Sequence, residues 1–254
     1  MVVSRHIDEQ EYRMRVLVVE NDKVTLLGQI GVALAEAGAE IDICRPHAGD
    51  AIPADETGHD AIVVMGGPQN ARDDERHGYL PALAGLMRRF GDAGKSVLGV
   101  CLGSQLLARA YGAENRIGAA PEFGWCTVAL TADGAGDPVL SAASGSFPIF
   151  QWHSDTFTLP EGAVRLATNA AAENQAFRIG RAVYGTQFHF EASRDVVDGW
   201  AETFPDLIET LQPAWLANRA ALAAESGPSA DATGLAIARA WVATIAAAET
   251  RRVA

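Results

Sequence analysis

The sequence is poor in cysteine and has no long apolar run, and each absence excludes a class of protein. Three cysteines occur in 254 residues, Cys44, Cys101 and Cys126, and no two of them form a CxxC pair. Neither a disulfide framework nor a zinc-ligand spacing can therefore be read from them. No stretch reaches the roughly 18 apolar residues of a membrane-spanning helix, and the first residues carry charges where a secretory signal would be apolar. A cytoplasmic protein with no membrane contact is expected.

Positive charge is also scarce. Lysine and arginine together number 20, against 32 aspartates and glutamates, which gives a formal net charge of -12. A chain with this charge repels the phosphates of nucleic acids and of anionic lipids. Nucleic acid is therefore not expected as a partner.

Hydrophobic residues make up 48% of the chain, which is enough for a sizeable core in one large domain. The first half alternates short apolar runs, such as those at 14–20 and 60–65, with segments of helical periodicity. This alternation predicts an α/β fold with an open, mostly parallel sheet flanked by helices. Short strand-like runs between 122 and 190 predict a more antiparallel extension of the same sheet.

Three segments are expected along the chain. Residues 1–13 are predicted to be an N-terminal tail, residues 14–204 the α/β domain, and residues 205–254 a C-terminal helical extension packed on that domain. The extension is rich in alanine. Its Ser-Gly-Pro sequence at 226–228 predicts a break between two terminal helices.

A tight turn is predicted where a buried strand meets a helix. Residues 99–103 have the G-x-C-x-G form of a nucleophile elbow, in the strand-turn-helix context that this motif requires. The turn presents the Cys101 thiol at the carboxyl end of the strand, where the helix N-terminus favours a thiolate. The backbone amide of Leu102 would face a developing oxyanion. The alternative interpretation is a small buried cysteine with a structural role.

A nucleophilic cysteine needs a base, and two histidines outside the polar segments have a carboxylate two residues further along the chain. His189 precedes Glu191, and His153 precedes Asp155. In a strand such residues share one face, so the carboxylate can orient the imidazole and stabilise its charged form. Spacing alone does not choose between the two pairs, and a non-catalytic histidine is the alternative for each. The remaining histidines lie in polar segments typical of a solvated surface: His6, His47, His59 and His77.

Four motifs taken together resemble the class I glutamine amidotransferase family, over about residues 14–192. In chain order they are GGP at 66–68, GVCLGSQ at 99–105, WHSD at 152–155 and QFHFE at 187–191. The sequences EFGW at 122–125 and FQWHSDTF at 150–157 are most similar to stand-alone proteins that resemble the glutaminase domain of GMP synthase. The resemblance implies a flavodoxin-like α/β fold.

The resemblance also assigns catalytic roles. It implies that Cys101 is the nucleophile, that His189 acts first as base and then as acid, and that Glu191 orients His189. The backbone amide of Gly67 would form the oxyanion hole together with that of Leu102, because glycine lets the backbone approach the substrate closely.

Substrate-binding residues are implied as well. Gly66 belongs to the glycine turn beside the substrate, and Gln105 would help to hold its glutamyl end. His153 and Asp155 match a loop beside the pocket, and for them a structural hydrogen-bonded pair is the alternative.

Two positions depart from the family pattern. Phe190 stands between the two catalytic residues of the last motif, where the family often has proline. Ser154 follows the other histidine, where glycine is common. Neither change removes a reacting group, so both bear on the shape of the pocket and on the distal part of the substrate.

The resemblance implies a cysteine-dependent glutaminase that needs no metal or organic cofactor. Cys101 would form a γ-glutamyl thioester from glutamine, and the ammonia would pass to a partner synthase subunit. No GxxxxGK[ST] loop occurs in the sequence, and the residues after 192 are too few for an ATP-using domain. A stand-alone hydrolase or peptidase of a γ-glutamyl conjugate is the first alternative. A catalytically idle binding module is the second, against which the intact set of three reacting residues argues.

Overall fold

The computed structural model describes residues 13–253, with side chains described as far as Ile245. The predicted N-terminal tail lies outside the described residues, apart from Arg13. The strands are Arg15–Val19 (β1), Glu40–Cys44 (β2), Ala61–Val64 (β3), Ser96–Val100 (β4), Asn115–Arg116 (β5), Glu122–Leu130 (β6), Ser146–His153 (β7), Thr156–Phe157 (β8), Val164–Thr168 (β9), Ala176–Ile179 (β10) and Val183–Thr186 (β11). The helices are Gly28–Glu36 (α1), Leu80–Asp92 (α2), Leu102–Ala110 (α3), Ala132–Ala135 (α4), Arg194–Thr203 (α5), Pro205–Leu211 (α6) and Trp215–Val253 (α7).

Within the described residues, nine strands form one sheet in the order β2-β1-β3-β4-β11-β10-β9-β6-β7. The first five strands in this order pair in parallel. From β11 onward each neighbouring pair is antiparallel. The predicted open, mostly parallel sheet with an antiparallel extension is therefore confirmed.

Different helices cover the two faces of the sheet. Strands β3 and β4 are buried throughout, which is why their sequences AIVV and SVLGV are almost entirely apolar. Helices α2 and α3 pack on one face through residues such as Met87 and Leu106. Helices α1 and α7 pack on the other face through Ile30, Leu34 and Trp241. The carboxyl end of β4, a central strand, thus lies between two layers of helices.

The C-terminal region differs from the prediction at one point. The Ser-Gly-Pro sequence at 226–228 lies inside the continuous helix α7, and the chain breaks instead before α7, where Ala214 has a φ of 66°. A proline inside a helix removes one backbone hydrogen bond. Tertiary contacts nevertheless hold α7 beyond it, since Arg194 reaches Asp231 at 2.6 Å and Trp241 is fully buried. The predicted break was wrong because packing outweighs local propensity.

Residues 13–253 contain neither a candidate membrane span nor a candidate metal cluster. None of the helices there, including the 39-residue α7, combines the length and apolar character needed to cross a membrane. No group of three or more His, Cys, Asp or Glu side chains in that range is placed to hold a metal ion.

Candidate active site

The turn between β4 and α3 holds Cys101 in a strained backbone conformation. Its φ of 51° and ψ of -110° lie outside the regions that residues other than glycine usually adopt. Two glycines make the turn possible. A Cβ on Gly99 would lie 2.4 Å from the carbonyl oxygen of Gly103, and a Cβ on Gly103 would lie 2.0 Å from that of Val64 on β3. The helix therefore presses on two neighbouring strands at the point where the thiol emerges.

The thiol of Cys101 lies at the N-terminus of α3 and is 7% exposed as a residue. Its Sγ atom is 3.8 Å from the backbone oxygen of Trp152 at the end of β7. Leu102 is the first residue of α3, so its backbone N–H has no acceptor within the helix. A free donor of this kind is suited to a developing oxyanion.

His189 and Glu191 follow β11 and form a buried pair. The Nδ1 atom of His189 lies 2.7 Å from Oε1 of Glu191, and these residues are 6% and 1% exposed. Burial by itself lowers the pKa of His189, but the charges of Glu191 and Cys101 together raise it well above the ordinary 6.5. The ring is therefore predisposed to carry a proton next to the thiol.

Helix α1 holds the backbone of this pair from behind. The backbone N–H of Gln29 donates to the carbonyl of Glu191 at 2.9 Å, and its side-chain Nε2 donates to the carbonyl of Phe190 at 3.2 Å. On the other side, the backbone N–H of His189 donates to the carbonyl of Phe150 at 2.9 Å. Gln29 is a positioning residue that the sequence analysis missed, because no local pattern links α1 to residues 190 and 191.

The glycine turn after β3 lies against the side chains of Cys101 and His189. A Cβ on Gly66 would lie 3.5 Å from Cβ of Cys101 and 3.3 Å from Cε1 of His189. The fully buried Asn21 braces this turn, because its Nδ2 donates to the carbonyl of Met65 at 2.7 Å. Asn21 was also missed, although its place directly after the carboxyl end of a buried strand is a typical site position.

Gly67, the second glycine of the turn, lies against the first residue of α3, and Gln105 lies in the first turn of that helix. A Cβ on Gly67 would lie 3.2 Å from Cδ2 of Leu102, so these two residues are neighbours. Gln105 is 3% exposed, and its Nε2 donates to Oε1 of Gln187 at 3.2 Å and to the carbonyl of Asp155 at 3.5 Å. The structure thus brings the predicted oxyanion residues together and ties Gln105 to the loop that follows β7.

His153 and Asp155 make their contacts within the protein. Nε2 of His153 lies 3.1 Å from Oε2 of Glu122, and Nδ1 lies 3.0 Å from the carbonyl of Asp155. The carboxylate of Asp155 accepts a hydrogen bond of 2.8 Å from the backbone N–H of Gly118. Both ring nitrogens of His153 are therefore occupied, and the assignment of this pair to substrate binding stays a prediction.

Comparisons with known proteins agree with this geometry. Residues 21–198, which include the nucleophile turn and the His189–Glu191 pair, match the family described as Glutamine amidotransferase class-I. The chain belongs to this family. The predicted resemblance is thereby confirmed.

Three similar proteins illustrate the extent of the family match. The amidotransferase chain is 31% identical over 189 residues to the glutamine amidotransferase-like protein YfeJ of Salmonella typhimurium, covering 73% of this chain and 79% of that protein. It is 32% identical over 143 residues to a glutamine-hydrolyzing GMP synthase subunit of Natronomonas pharaonis, covering 56% and 71%. A solved glutamine amidotransferase from Thermotoga maritima is 26% identical, with a TM-score of 0.79 and coverage of 92% and 98%.

A pocket of about 250 Å³ opens beside His189 in this amidotransferase. The glycine turn forms one wall, and three aromatic side chains and Leu207 contribute to the others. Trp200 comes from α5, a helix that the sequence analysis did not predict, and its ring lies 5.3 Å from that of His189 in an edge-on arrangement. The aromatic lining residues are Trp152, Trp200 and Phe204.

Proposed function

We propose that this chain is a cysteine-dependent glutaminase in which Cys101, His189 and Glu191 hydrolyse a γ-glutamyl amide, glutamine being the simplest such substrate. The observation that carries the proposal is the buried contact of 2.7 Å between His189 and Glu191, next to a nucleophile turn within the matched family region. A charged imidazole beside a thiol at a helix N-terminus is the arrangement that activates a cysteine for attack on a carbonyl.

The reaction has two halves. In the first, the Cys101 thiolate bonds to the γ-carbon, the C–N bond breaks, and the departing nitrogen takes a proton from Nε2 of His189. In the second, His189 removes a proton from water, the resulting hydroxide bonds to the γ-carbon, and the C–S bond breaks to restore the thiolate. The products are glutamate and ammonia or an amine. Glu191 keeps Nδ1 protonated throughout and stabilises the imidazolium.

The remaining predicted site residues fit supporting roles in this proposal. The backbone amides of Leu102 and Gly67 are assigned to the oxyanion, which forms twice along the reaction. Gly66 and Gln105 are assigned to the glutamyl end of the substrate.

His153 and Asp155 are assigned to the wall behind that end. Their contacts with Glu122 and Gly118 fix the loop after β7. Through the carbonyl of Asp155 they also fix the position of Gln105.

The fate of the released nitrogen separates two candidates. The similarity to a GMP synthase subunit supports delivery of ammonia to a separate synthase protein. The aromatic pocket beside His189 supports the second candidate, a stand-alone hydrolase of γ-glutamyl conjugates, because ammonia needs no apolar wall.

The proposal is tested by labelling with a diazoketone analogue of glutamine and by glutamate release from glutamine and γ-glutamyl amides. We expect one label per chain, on Cys101, and loss of both labelling and turnover in Cys101→Ala. Burial and the charge of Asp50 raise the pKa of Cys44, and burial and Glu122 raise that of Cys126 to about 11, so both stay thiols.

Cys44→Ala and Cys126→Ala are therefore matched controls that should label and turn over as the wild type does. Circular dichroism of Cys101→Ala checks that its fold is intact. Turnover by that variant at the wild-type rate would refute the assignment of the nucleophile. Absence of any label on the wild-type thiol would favour the idle module instead.

A further inference from the structure

We propose that the pocket beside His189 is a subsite for the apolar, aromatic substituent of the departing amine, so that the preferred substrate is a γ-glutamyl amide of an arylalkyl amine. The inference rests on the proposed function, since it concerns the amine released from the thioester-forming step. It adds the chemical class of that amine, which the family match leaves open.

The position of the pocket follows from the proton that His189 must deliver. Its Nδ1 is engaged by Glu191 at 2.7 Å, so proton transfer falls to Nε2. A general acid must lie within hydrogen-bond reach of the atom that it protonates. The leaving nitrogen therefore sits against His189, and a substituent on that nitrogen extends into the space that His189 lines.

The glutamyl half of the substrate is assigned to the other side of the thiol. Of the residues assigned to it, Gln105 donates to the carbonyl of Asp155 in the loop after β7, and Gly66 belongs to the glycine turn that also lines the pocket beside His189. Neither Gln105 nor Asp155 lines the pocket beside His189. The two ends of a γ-glutamyl amide thus extend to opposite sides of the shared glycine turn, Gln105 on one side and the pocket on the other, with the scissile bond between Cys101 and His189.

Besides the polar residues Asp22, Lys23 and Thr25, the pocket has a wall of aromatic side chains that brace one another. The ring of Trp152 contacts those of Trp200 and Phe204 edge to face, at centroid distances of 5.6 and 5.7 Å. The only polar atom of the Trp200 side chain, Nε1, donates to the carbonyl of Val24 at 3.1 Å. These side chains therefore offer aromatic surface to a ligand. Trp200 has no free hydrogen-bond donor left for it.

The size and exposure of the pocket suit an aromatic ring. Its volume of about 250 Å³ exceeds the roughly 150 Å³ of an apolar cavity that binds benzene. Leu207 on α6 lies at its edge and is 48% exposed. An aryl group in the pocket would remove this apolar surface from water.

The experiment compares γ-glutamyl phenethylamide with γ-glutamyl ethylamide. Both release a primary alkylamine, so the comparison varies chiefly the aryl group. We expect kcat/KM to be roughly tenfold or more higher for the phenethylamide, as expected for burial of an aromatic ring. Phe204→Ala should reduce this ratio several-fold.

Two exposed leucines on α6 provide a matched pair of variants that should both fold. Leu207 lines the pocket and is 48% exposed, whereas Leu211 lies one turn further on, is 46% exposed and is outside the pocket. Leu207→Ser should lower the ratio of the two kcat/KM values, and Leu211→Ser should leave it at the wild-type value.

The outcomes separate the subsite from the chemistry. Turnover of the ethylamide or of glutamine without preference for the phenethylamide would overturn the subsite and leave the glutaminase proposal standing. Labelling of Cys101 without cleavage of the phenethylamide would do the same. Absence of both labelling and turnover would overturn the proposed function and, with it, the subsite.

Discussion

His189 depends for its charge on a carboxylate that is itself removed from water. Glu191 is 1% exposed and is held against the ring by a contact of 2.7 Å. A buried charge is costly unless an opposite charge and hydrogen bonds compensate it, and removal of one partner leaves the other uncompensated. The protonation of His189 therefore depends on the charge of Glu191, and in the proposed mechanism so does the supply of the proton for the leaving nitrogen.

Glu191→Gln keeps the shape of the side chain, removes its charge and should lower the pKa of His189. Because the folded pKa lies above the ordinary 6.5, the charged ring contributes stability that is fully present below that pH. This contribution is lost as the pH rises through the raised value. The stability difference between wild type and variant should therefore be largest below pH 6.5 and shrink above it. Urea unfolding and NMR titration of the ring measure both effects.

The same variant should lose roughly 10²- to 10⁴-fold in kcat, the usual contribution of a positioned acid and base. Glu202→Gln on the exposed side of α5 is the control. It should change neither kcat nor the pKa of His189. A His189 ring that titrates at the wild-type pH in Glu191→Gln would contradict the coupling.

Spacing could predict His189 and Glu191 as a pair, but it could not distinguish them from His153 and Asp155. The distinction comes from strand register, because β6 and β7 pair antiparallel and place Glu122 opposite His153. One ring nitrogen of His153 thus contacts Glu122, 31 residues away, and the other contacts the nearby carbonyl of Asp155. Register of this kind depends on the whole sheet and leaves no local trace in the sequence.

At the scale of elements, two helices press on the segment that carries His189 and Glu191. Helix α1 donates two hydrogen bonds to it through Gln29. Helix α7 approaches so closely that a Cβ on Gly234 would lie 2.1 Å from the carbonyl of Phe190 and 2.6 Å from Nε2 of Gln29. The position of the pair therefore depends on a glycine 45 residues further along the chain than His189.

Gly234→Ala should destabilise the fold by roughly 1–3 kcal/mol, the cost of overpacking, although alanine normally favours a helix. The segment that includes Phe190 should shift as well, so kcat should fall by roughly tenfold to a hundredfold. Gly199→Ala is the matched control, because Gly199 is an exposed helical glycine with open space around it. It should gain roughly 0.5–1 kcal/mol. Urea unfolding and steady-state kinetics test the pair, and an unchanged kcat in Gly234→Ala would show that α7 yields instead.

Element predictions succeeded for the buried parallel strands and failed at two of the later helices. The parallel half of the sheet follows from buried apolar strands such as β3 and β4. Helix α5, which carries Trp200, was missed although its buried residues, Val196, Val197 and Trp200 among them, recur at helical spacing. The continuity of α7 through Pro228 was invisible, since its support comes from α5 and the core.

At the scale of the whole molecule, one hydrophobic cluster joins the two ends of the described chain. It contains Val16 of β1, Phe188 beside His189, and Trp241 of α7. Apolar periodicity shows which face of a helix is buried but not which surface receives it. The sequence therefore predicted a helical extension at 205–254 that packs on the domain, but not which part of the core it contacts. We propose that this extension and residues 14–204 unfold as a single unit.

Trp241→Ala tests that proposal, because Trp241 is fully buried and its Nε1 donates to the carbonyl of Val97 on β4 at 3.4 Å. Loss of the ring should cost roughly 3–5 kcal/mol and lower the urea midpoint of the entire chain in one transition. Val32→Ala, at a 47% exposed position on α1, should change the midpoint little. A variant whose α7 melts first, while the Cys101 label and glutamate release persist, would show instead that residues 14–204 fold without the extension. The shared cluster predicts that activity and helix content disappear together, since β4 makes the tryptophan contact and leads directly into the turn that holds Cys101.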